Sequence, residues 1–158
     1  MKHKIIALLL AGSFLAAGCQ QKSPVDPSSH SAWECTQDTT TIRLENKDDT
    51  LNTSEQIFII PYSAIETEEG TDVEAARKEA LEVCSRMFSG IDGVTFTCKA
   101  LDTGIQADLK IDYSKASIDQ LKKASLTDQL GLEEGYVSLS KTIGKMEEQG
   151  FACIGVTK

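Results

Sequence analysis

The longest regular pattern in the chain lies between residues 105 and 113, where Ile105, Ala107, Leu109, Ile111 and Tyr113 alternate with Gln106, Asp108, Lys110 and Asp112. A period of two apolar and polar positions is the mark of a strand with one buried face. Ahead of it, Asp102-Thr103-Gly104 has turn composition, and Val94, Phe96, Cys98 and Ala100 alternate with Thr95, Thr97 and Lys99. These two segments are therefore expected to lie side by side. Nearer the N-terminus, Thr40, Ile42 and Leu44 alternate with Thr41, Arg43 and Glu45. Trp33 and Cys35 fall in the opposite parity, which predicts a kink or bulge near Gln37 and Asp38. Asn46-Lys47-Asp48-Asp49 is turn chemistry. Residues 51–60 follow as a second strand, stopped by Pro61, so the first two strands should form a hairpin.

Helical periodicity appears in three places. Thr71-Asp72-Val73-Glu74 reads as a capping box with Thr71 at the N-cap. Val73, Ala76, Ala80, Val83, Cys84 and Met87 then fall on one stripe, in a helix ending near Gly90. Ser117-Ile118-Asp119-Gln120 opens a short second helix with another capping box. After a polar loop through Gly131 and Gly135, residues 138–149 read as a final helix with Leu139, Ile143 and Met146 inward. Gly150 fits the C′ position, and Phe151 beyond it can fold back onto the helix end. The expected fold class is α+β: an antiparallel four-stranded sheet with helices packed on one face, in the order ββαββα(α).

The first residues change the picture of where this domain works. Lys2 and Lys4 precede an uncharged, mostly apolar run over residues 5–15, and Ala16, Ala17 and Gly18 follow. That is the three-part plan of an export signal, and its apolar run falls short of the roughly 20 residues that span a bilayer. The next residue is Cys19, and Leu15-Ala16-Ala17-Gly18-Cys19 resembles the lipobox of bacterial lipoproteins, although Ala16 stands where Leu or Val is usual. The expectation is cleavage before Cys19 and a diacylglyceryl thioether on its sulfur, which with palmitate-type acylation anchors the chain outside the cytoplasm. Two acyl chains hold a protein stably where one does not. Residues 1–18 are then the signal, 19–32 the lipidated cysteine and a flexible tether, and 33–158 a single domain. The tether, rich in Pro and Ser, spans on the order of 20 Å.

The formal charge is −8, and removing a signal with two lysines and no acid takes it to −10. Such a domain lacks the basic face of a nucleic-acid binder and is repelled by anionic headgroups. Of five cysteines, Cys19 takes lipid, which leaves the even set Cys35, Cys84, Cys98 and Cys153 in an oxidising compartment. None forms a C-x-x-C pair, so no zinc ribbon or thioredoxin-type motif is indicated. Cys84 on the first helix's stripe faces Cys98 on the next strand's inner side. Cys35 and Cys153 then pair by elimination among three connectivities.

Three stretches carry a resemblance: IDYSKASIDQLKK at 111–123, GYVSLSKTIGKMEEQGF at 135–151 and the turn ENKDDTL at 45–51. Together with a signal ending in Cys19, they make the chain similar to the YehR-like family of small bacterial lipoproteins, over residues 33–151. The resemblance implies an exported lipoprotein with an α+β domain, and it implies no activity, since the family is of unknown function.

Candidate chemistry is sparse. His3 goes with the signal and His30 lies in the tether, so the folded part is expected to hold no imidazole, which excludes Ser-His-Asp or Cys-His sites and histidine-based zinc catalysis. No S-x-x-K stands in a catalytic setting. Glu66, Glu68, Glu69, Asp72 and Glu74 cluster around a helix start, where the dipole favours acids. Neither they nor Asp48-Asp49 show the ligand spacing of a calcium loop. Gly90, Gly93 and Gly104 sit at a helix end and a hairpin, and Lys122-Lys123 complement a helix C-terminus. Trp33 is expected to pack under the last helix.

The leading expectation is a lipid-anchored, non-enzymatic envelope module, held to the outer leaflet of a bacterial membrane. It uses no cofactor and binds an envelope protein, polymer or small solute. The alternative is an envelope enzyme using carboxylates or a Ser–Lys pair. The candidate binding face is the polar side of the two best strands: Thr95, Thr97, Lys99, Gln106, Asp108, Lys110 and Asp112.

Overall fold

In the computed structural model, Asp26 and residues 29–65 and 72–156 are described. The signal, Cys19, most of the tether, Thr71 and the acids Glu66, Glu68 and Glu69 lie outside the described residues. The alternating segments form eight strands, not four: β1 Ala32–Gln37, β2 Thr40–Lys47, β3 Thr50–Pro61, β4 Val94–Ala100, β5 Gly104–Asp112, β6 Gly131–Glu133, β7 Tyr136–Ser138 and β8 Ala152–Val156. Six of them run in the order β4-β5-β3-β2-β1-β8, every neighbouring pair antiparallel, and the short β6–β7 hairpin joins through Thr50 opposite Ser138.

The larger sheet arises from reversals that the alternation hid. The shift of parity between Cys35 and Ile42 is no kink; it is a two-residue hairpin turn at residues 38–39, with Asp38 at φ 49°. A turn of two residues sets Trp33 opposite Leu44 and Cys35 opposite Ile42, which puts all four on one face. Asp48, at φ 53°, makes the same kind of turn between β2 and β3; aspartate tolerates this left-handed backbone through its short polar side chain. The polar loop around Gly131 and Gly135 contains the β6–β7 hairpin. Gly131 is required there, because a Cβ would fall 2.4 Å from that of Lys141. The last residues, beyond the final helix, return as β8 against β1.

Three α-helices cover one face: α1 Val73–Cys84, α2 Ile118–Lys123 and α3 Leu139–Glu148. Leu139, Ile143 and Met146 of α3 pack with Trp33, Cys35, Ile42, Leu44, Leu51 and Phe151 in the largest core cluster. A fully buried side chain of this size contributes about 1.5–3 kcal/mol. The helix ends as its sequence anticipates. Gly150 takes φ 97°, its N–H donates to Glu147 O and that of Phe151 to Met146 O, the two bonds of a Schellman end. Leu121 of α2 sits on Leu109 and Ile111.

Helix α1 departs from expectation. Its cap is Asp72, whose carboxylate accepts from Glu74 N–H at 2.9 Å. It stops at Cys84, six residues before Gly90, and of the proposed stripe only Cys84 is buried. Val73, Val83 and Met87 are exposed, while Ala80 and Leu81 pack beside Ile105 and Ala107. The capping box at Ser117 does not form either, since no side-chain bond caps α2. The disulfides are Cys35–Cys153, tying β8 to β1 between directly opposed residues, and Cys84–Cys98, tying α1 to β4. On chain entropy the 14-residue separation is worth about 3 kcal/mol and the 118-residue one nearly 5.

One carboxylate ties the β2–β3 turn to α3. Asp49 accepts from Ser140 N–H at 2.8 Å and from the Ser138 hydroxyl at 2.7 Å, while its carbonyl accepts from Leu139 N–H. Desolvation alone would raise its pKa, but the bonds from Ser140 and Ser138 and the charge of Lys141 outweigh it and hold the carboxyl below its usual range. A depressed carboxylate stabilises the fold above its unfolded pKa of about 3.9 and loses that contribution as pH falls through the folded value. Asp49→Ala should therefore cost about 1–2 kcal/mol in urea unfolding at pH 7. The gap from wild type should close as pH drops below about 4.

Candidate functional site: the uncovered face of the sheet

All the described helices lie on the side of Ile42, Leu44, Ile105 and Ile111. The opposite side carries the alternate residues of six strands, and the candidate residues come together there. Thr95 stands opposite Lys110, Thr97 opposite Asp108 and Lys99 opposite Gln106. Thr95, Thr97, Lys99 and Lys110 are exposed, whereas Gln106, Asp108 and Asp112 are half-buried.

The pairing extends this face well beyond the two strands whose polar positions were evident. Lys110 lies opposite Glu55, Glu55 opposite Arg43, Arg43 opposite Glu34 and Glu34 opposite Ile154. One row across the sheet thus reads Thr95, Lys110, Glu55, Arg43, Glu34, Ile154, with four charges of alternating sign. Directly opposed residues on neighbouring strands lie about 5 Å apart, and Arg43 Nε reaches Glu34 Oε2 at 3.2 Å. The next row is milder: Thr97, Asp108, Ile57, Thr41, Thr36 and Ala152. Glu34, Glu55 and Ile57 were not singled out from the sequence. Their role depends on strand order, and only the parity of β2 hinted at it through Arg43.

Two carboxylates on this face differ in state. Asp112 is absorbed by the turn after β5: Lys115 Nζ at 2.6 Å and the Ser114 hydroxyl and N–H hold it at about 2. It closes the strand end and is not a free docking group. Asp108 goes the other way. Burial beside Ile57 and Thr97 raises its pKa and Glu55 adds to the rise, against a smaller downward pull from Lys110.

His30 corrects another expectation. The end of the tether is part of the folded unit. Asn46 N–H donates to Ser31 O, Asn46 Nδ2 to His30 O, and the His30 ring packs edge-on to Trp33 at 5.5 Å. An imidazole is therefore present, with Nδ1 2.8 Å from Ser29 Oγ. The same hydroxyl lies 2.7 Å from Asp26 O, to which it can donate. A cleft of about 270 Å³ lies at the other end of the sheet, lined by Tyr62, Ser63, Ile65, Val73, Ala76 and Arg77. The Arg77 guanidinium stacks on the Tyr62 ring at 4.3 Å, and among the described residues no carboxylate lines the cleft. Among the described residues no three His, Cys, Asp or Glu gather as a metal site, and no helix is long and apolar enough to cross a membrane.

Fold and surface together define a two-layer α+β domain with one bare, charge-striped sheet face. The chain belongs to DUF1307, a family described as of unknown function, whose pattern matches residues 32–152. It is similar in structure to the E. coli YehR protein, with 19% identity, a TM-score of 0.58, and 87% of this chain and 96% of that one covered. A protein from Streptococcus pneumoniae TIGR4 is similar at 16% identity and a TM-score of 0.51, covering 94% and 99% of the two chains. Both likenesses speak to fold. No curated protein sequence matches the chain.

The raised pKa of Asp108 carries a sign. A carboxyl whose folded pKa lies above its unfolded one is a liability when ionised, and the liability disappears as pH falls through the folded value. Asp108→Asn should raise the melting temperature at pH 7. The increment should vanish near pH 3, which thermal melts at the two pH values will read.

Proposed function

We propose that the chain is an exported lipoprotein, anchored through diacylglyceryl Cys19, whose bare sheet face is a non-enzymatic docking surface in the cell envelope. The observation that carries this reading is the confinement of every described helix to one face. Among the described residues, six strands are left with an open side of interspersed charge. A wet outer face is common in two-layer domains. On this face Asp108 is half-buried beside Ile57 and Thr97, and that burial together with Glu55 raises its pKa, a perturbation of the kind found at functional surfaces. Alternating charge gives register and steering to an incoming partner.

The chain enters the domain at Ser29 to Ala32, at the sheet end that also holds Glu45, Thr53 and Asp112. An anchor at Cys19 then leaves the strands running away from the membrane, with the face accessible from the side. The domain's acidity keeps it off anionic headgroups. Among the described residues, enzymatic readings draw no support from any cluster: Asp49 and Asp72 are caps, Asp112 closes a turn, and Glu133 pairs with Lys141.

Two tests address the two halves of the proposal. Cys19→Ala should abolish incorporation of labelled palmitate, and an unmodified Cys19 thiol in the mature wild-type protein would refute the anchor. Lys99→Glu with Lys110→Glu should change stability by no more than about 0.5 kcal/mol, while weakening capture of the partner from envelope extracts. Unchanged capture, together with its loss on altering the inner face or the Tyr62 cleft, would place the binding surface elsewhere.

A further inference from the structure

We propose that the bare sheet face takes a second copy of this chain, in a face-to-face dimer whose two-fold axis runs parallel to the strands between β3 and β2. This rests on the reading of that face as a docking surface and names its occupant. The basis is the symmetry of the charged row. In the order β4-β5-β3-β2-β1-β8, the midpoint falls between β3 and β2, and the charges about it read Lys110, Glu55, Arg43, Glu34. Positive and negative exchange across that midpoint. A rotation about an axis along the strands lays β3 over β2 and β5 over β1 of the other copy. Glu55 then meets Arg43, and Lys110 meets Glu34, twice each.

The neighbouring rows obey the same rule. Ile57 faces Thr41, Asp108 faces Thr36 and Thr97 faces Ala152, while on the other side Thr53 faces Glu45 and Asp112 faces Ala32. No like charges meet in any of these pairs. An axis laid along the charged row instead sets each charge against its own kind, so the arrangement with parallel strands is selected. Packed sheets cross at about 30°, a tilt that the long Lys and Arg stems absorb. The formal charge of −10 on each mature copy (−8 less the two lysines of the signal) repels at long range. Screening over about 8 Å at physiological salt leaves the facing pairs to decide.

Size and orientation agree with a cis dimer. Six strands at about 4.8 Å, over about 20 Å of strand length, bury on the order of 1,100 Å² in both copies together. That just clears the roughly 1,000 Å² expected of a specific interface. The association is therefore weak in solution and favoured by confinement on one surface, which raises effective concentration. A rotation about the strand direction keeps both entry segments, Ser29 to Ala32, at the same end, so two anchors can enter one membrane.

Zero-length carbodiimide cross-linking of the full-length protein in its membrane tests the geometry directly. Within one chain Lys110 and Glu34 stand three strands apart, about 14 Å, too far for a zero-length bond. A Lys110–Glu34 linked peptide from a covalent dimer is expected, and a dimer without it, or no dimer, overturns the proposal. Charge exchange tests the pairing. A row made acidic by Lys110→Glu and Arg43→Glu, or basic by Glu55→Lys and Glu34→Lys, should lose co-purification of two differently tagged copies. One acidic and one basic copy, co-expressed, should regain it. Intact Cys35–Cys153 and Cys84–Cys98 bonds in non-reducing peptide maps certify folding of each variant. Failure of the mixed pair to recover overturns the dimer. If Lys99→Glu with Lys110→Glu still weakens capture of another envelope component, the docking reading survives that failure.

Discussion

The architecture depends on the grip of one turn on one helix. Asp49 sits in the two-residue reversal between β2 and β3; its carboxylate accepts from the Ser140 N–H and from the hydroxyl of the N-cap Ser138, and its carbonyl accepts from the Leu139 N–H that opens α3. Helix starts leave N–H groups unsatisfied, and a carboxylate delivered by a neighbouring hairpin satisfies them while choosing where the helix lies. With its N-terminus held at that turn, α3 falls across β1 and β2. Its apolar side then closes the largest core cluster over Ile42 and Leu44. The Schellman end redirects the chain at Gly150 so that β8 runs back along β1. The Gln37 amide bonds Gln149 O at this reversal, and Cys35–Cys153 makes the closure covalent.

Stability is distributed unevenly as a result. The α3 side holds eleven buried core residues, whereas the cluster under α1 has three, the rest of its apolar neighbours being only half-buried. A helix with so little covered surface contributes little from burial. The Cys84–Cys98 bond supplies what packing does not, by limiting the freedom of that segment in the unfolded chain. Small domains with thin cores often rely on such bonds for the same reason. The exposed Val73, Val83 and Met87 follow from this thin packing.

The bare face shows the opposite economy. Its residues add little to the core, and burial with Glu55 raises the pKa of Asp108, yet strand pairing sorts its charges into an ordered row. In that row Lys110 and Arg43 each stand opposite an acid on an adjoining strand, which keeps the row neutral within an acidic protein. Surface ion pairs of this kind are worth at most about 1 kcal/mol each. On the docking reading proposed above, their value lies in the pattern presented to a partner, where complementarity sets register and orientation.

Local chemistry alone determined much of this protein. The alternation of β5, the β2–β3 hairpin at Asp48 and Asp49, the inward residues of α3 and its end at Gly150 and Phe151 all follow from neighbours in the chain. So does the facing of Cys84 and Cys98. What sequence could not supply was the number of strands. A two-residue turn at Asp38 looks like a shift of parity within one strand, and β6, β7 and β8 are too short to show a period. Nor could it say that α1 lies half out of the core, since a stripe of apolar residues does not reveal how much partner surface awaits it. The docking of His30 on Trp33 and the charged row from Lys110 to Glu34 belong to tertiary structure for the same reason. Alternation assigns a residue to a face, but only hydrogen-bonded pairing between strands distant in sequence decides which residues on that face become neighbours.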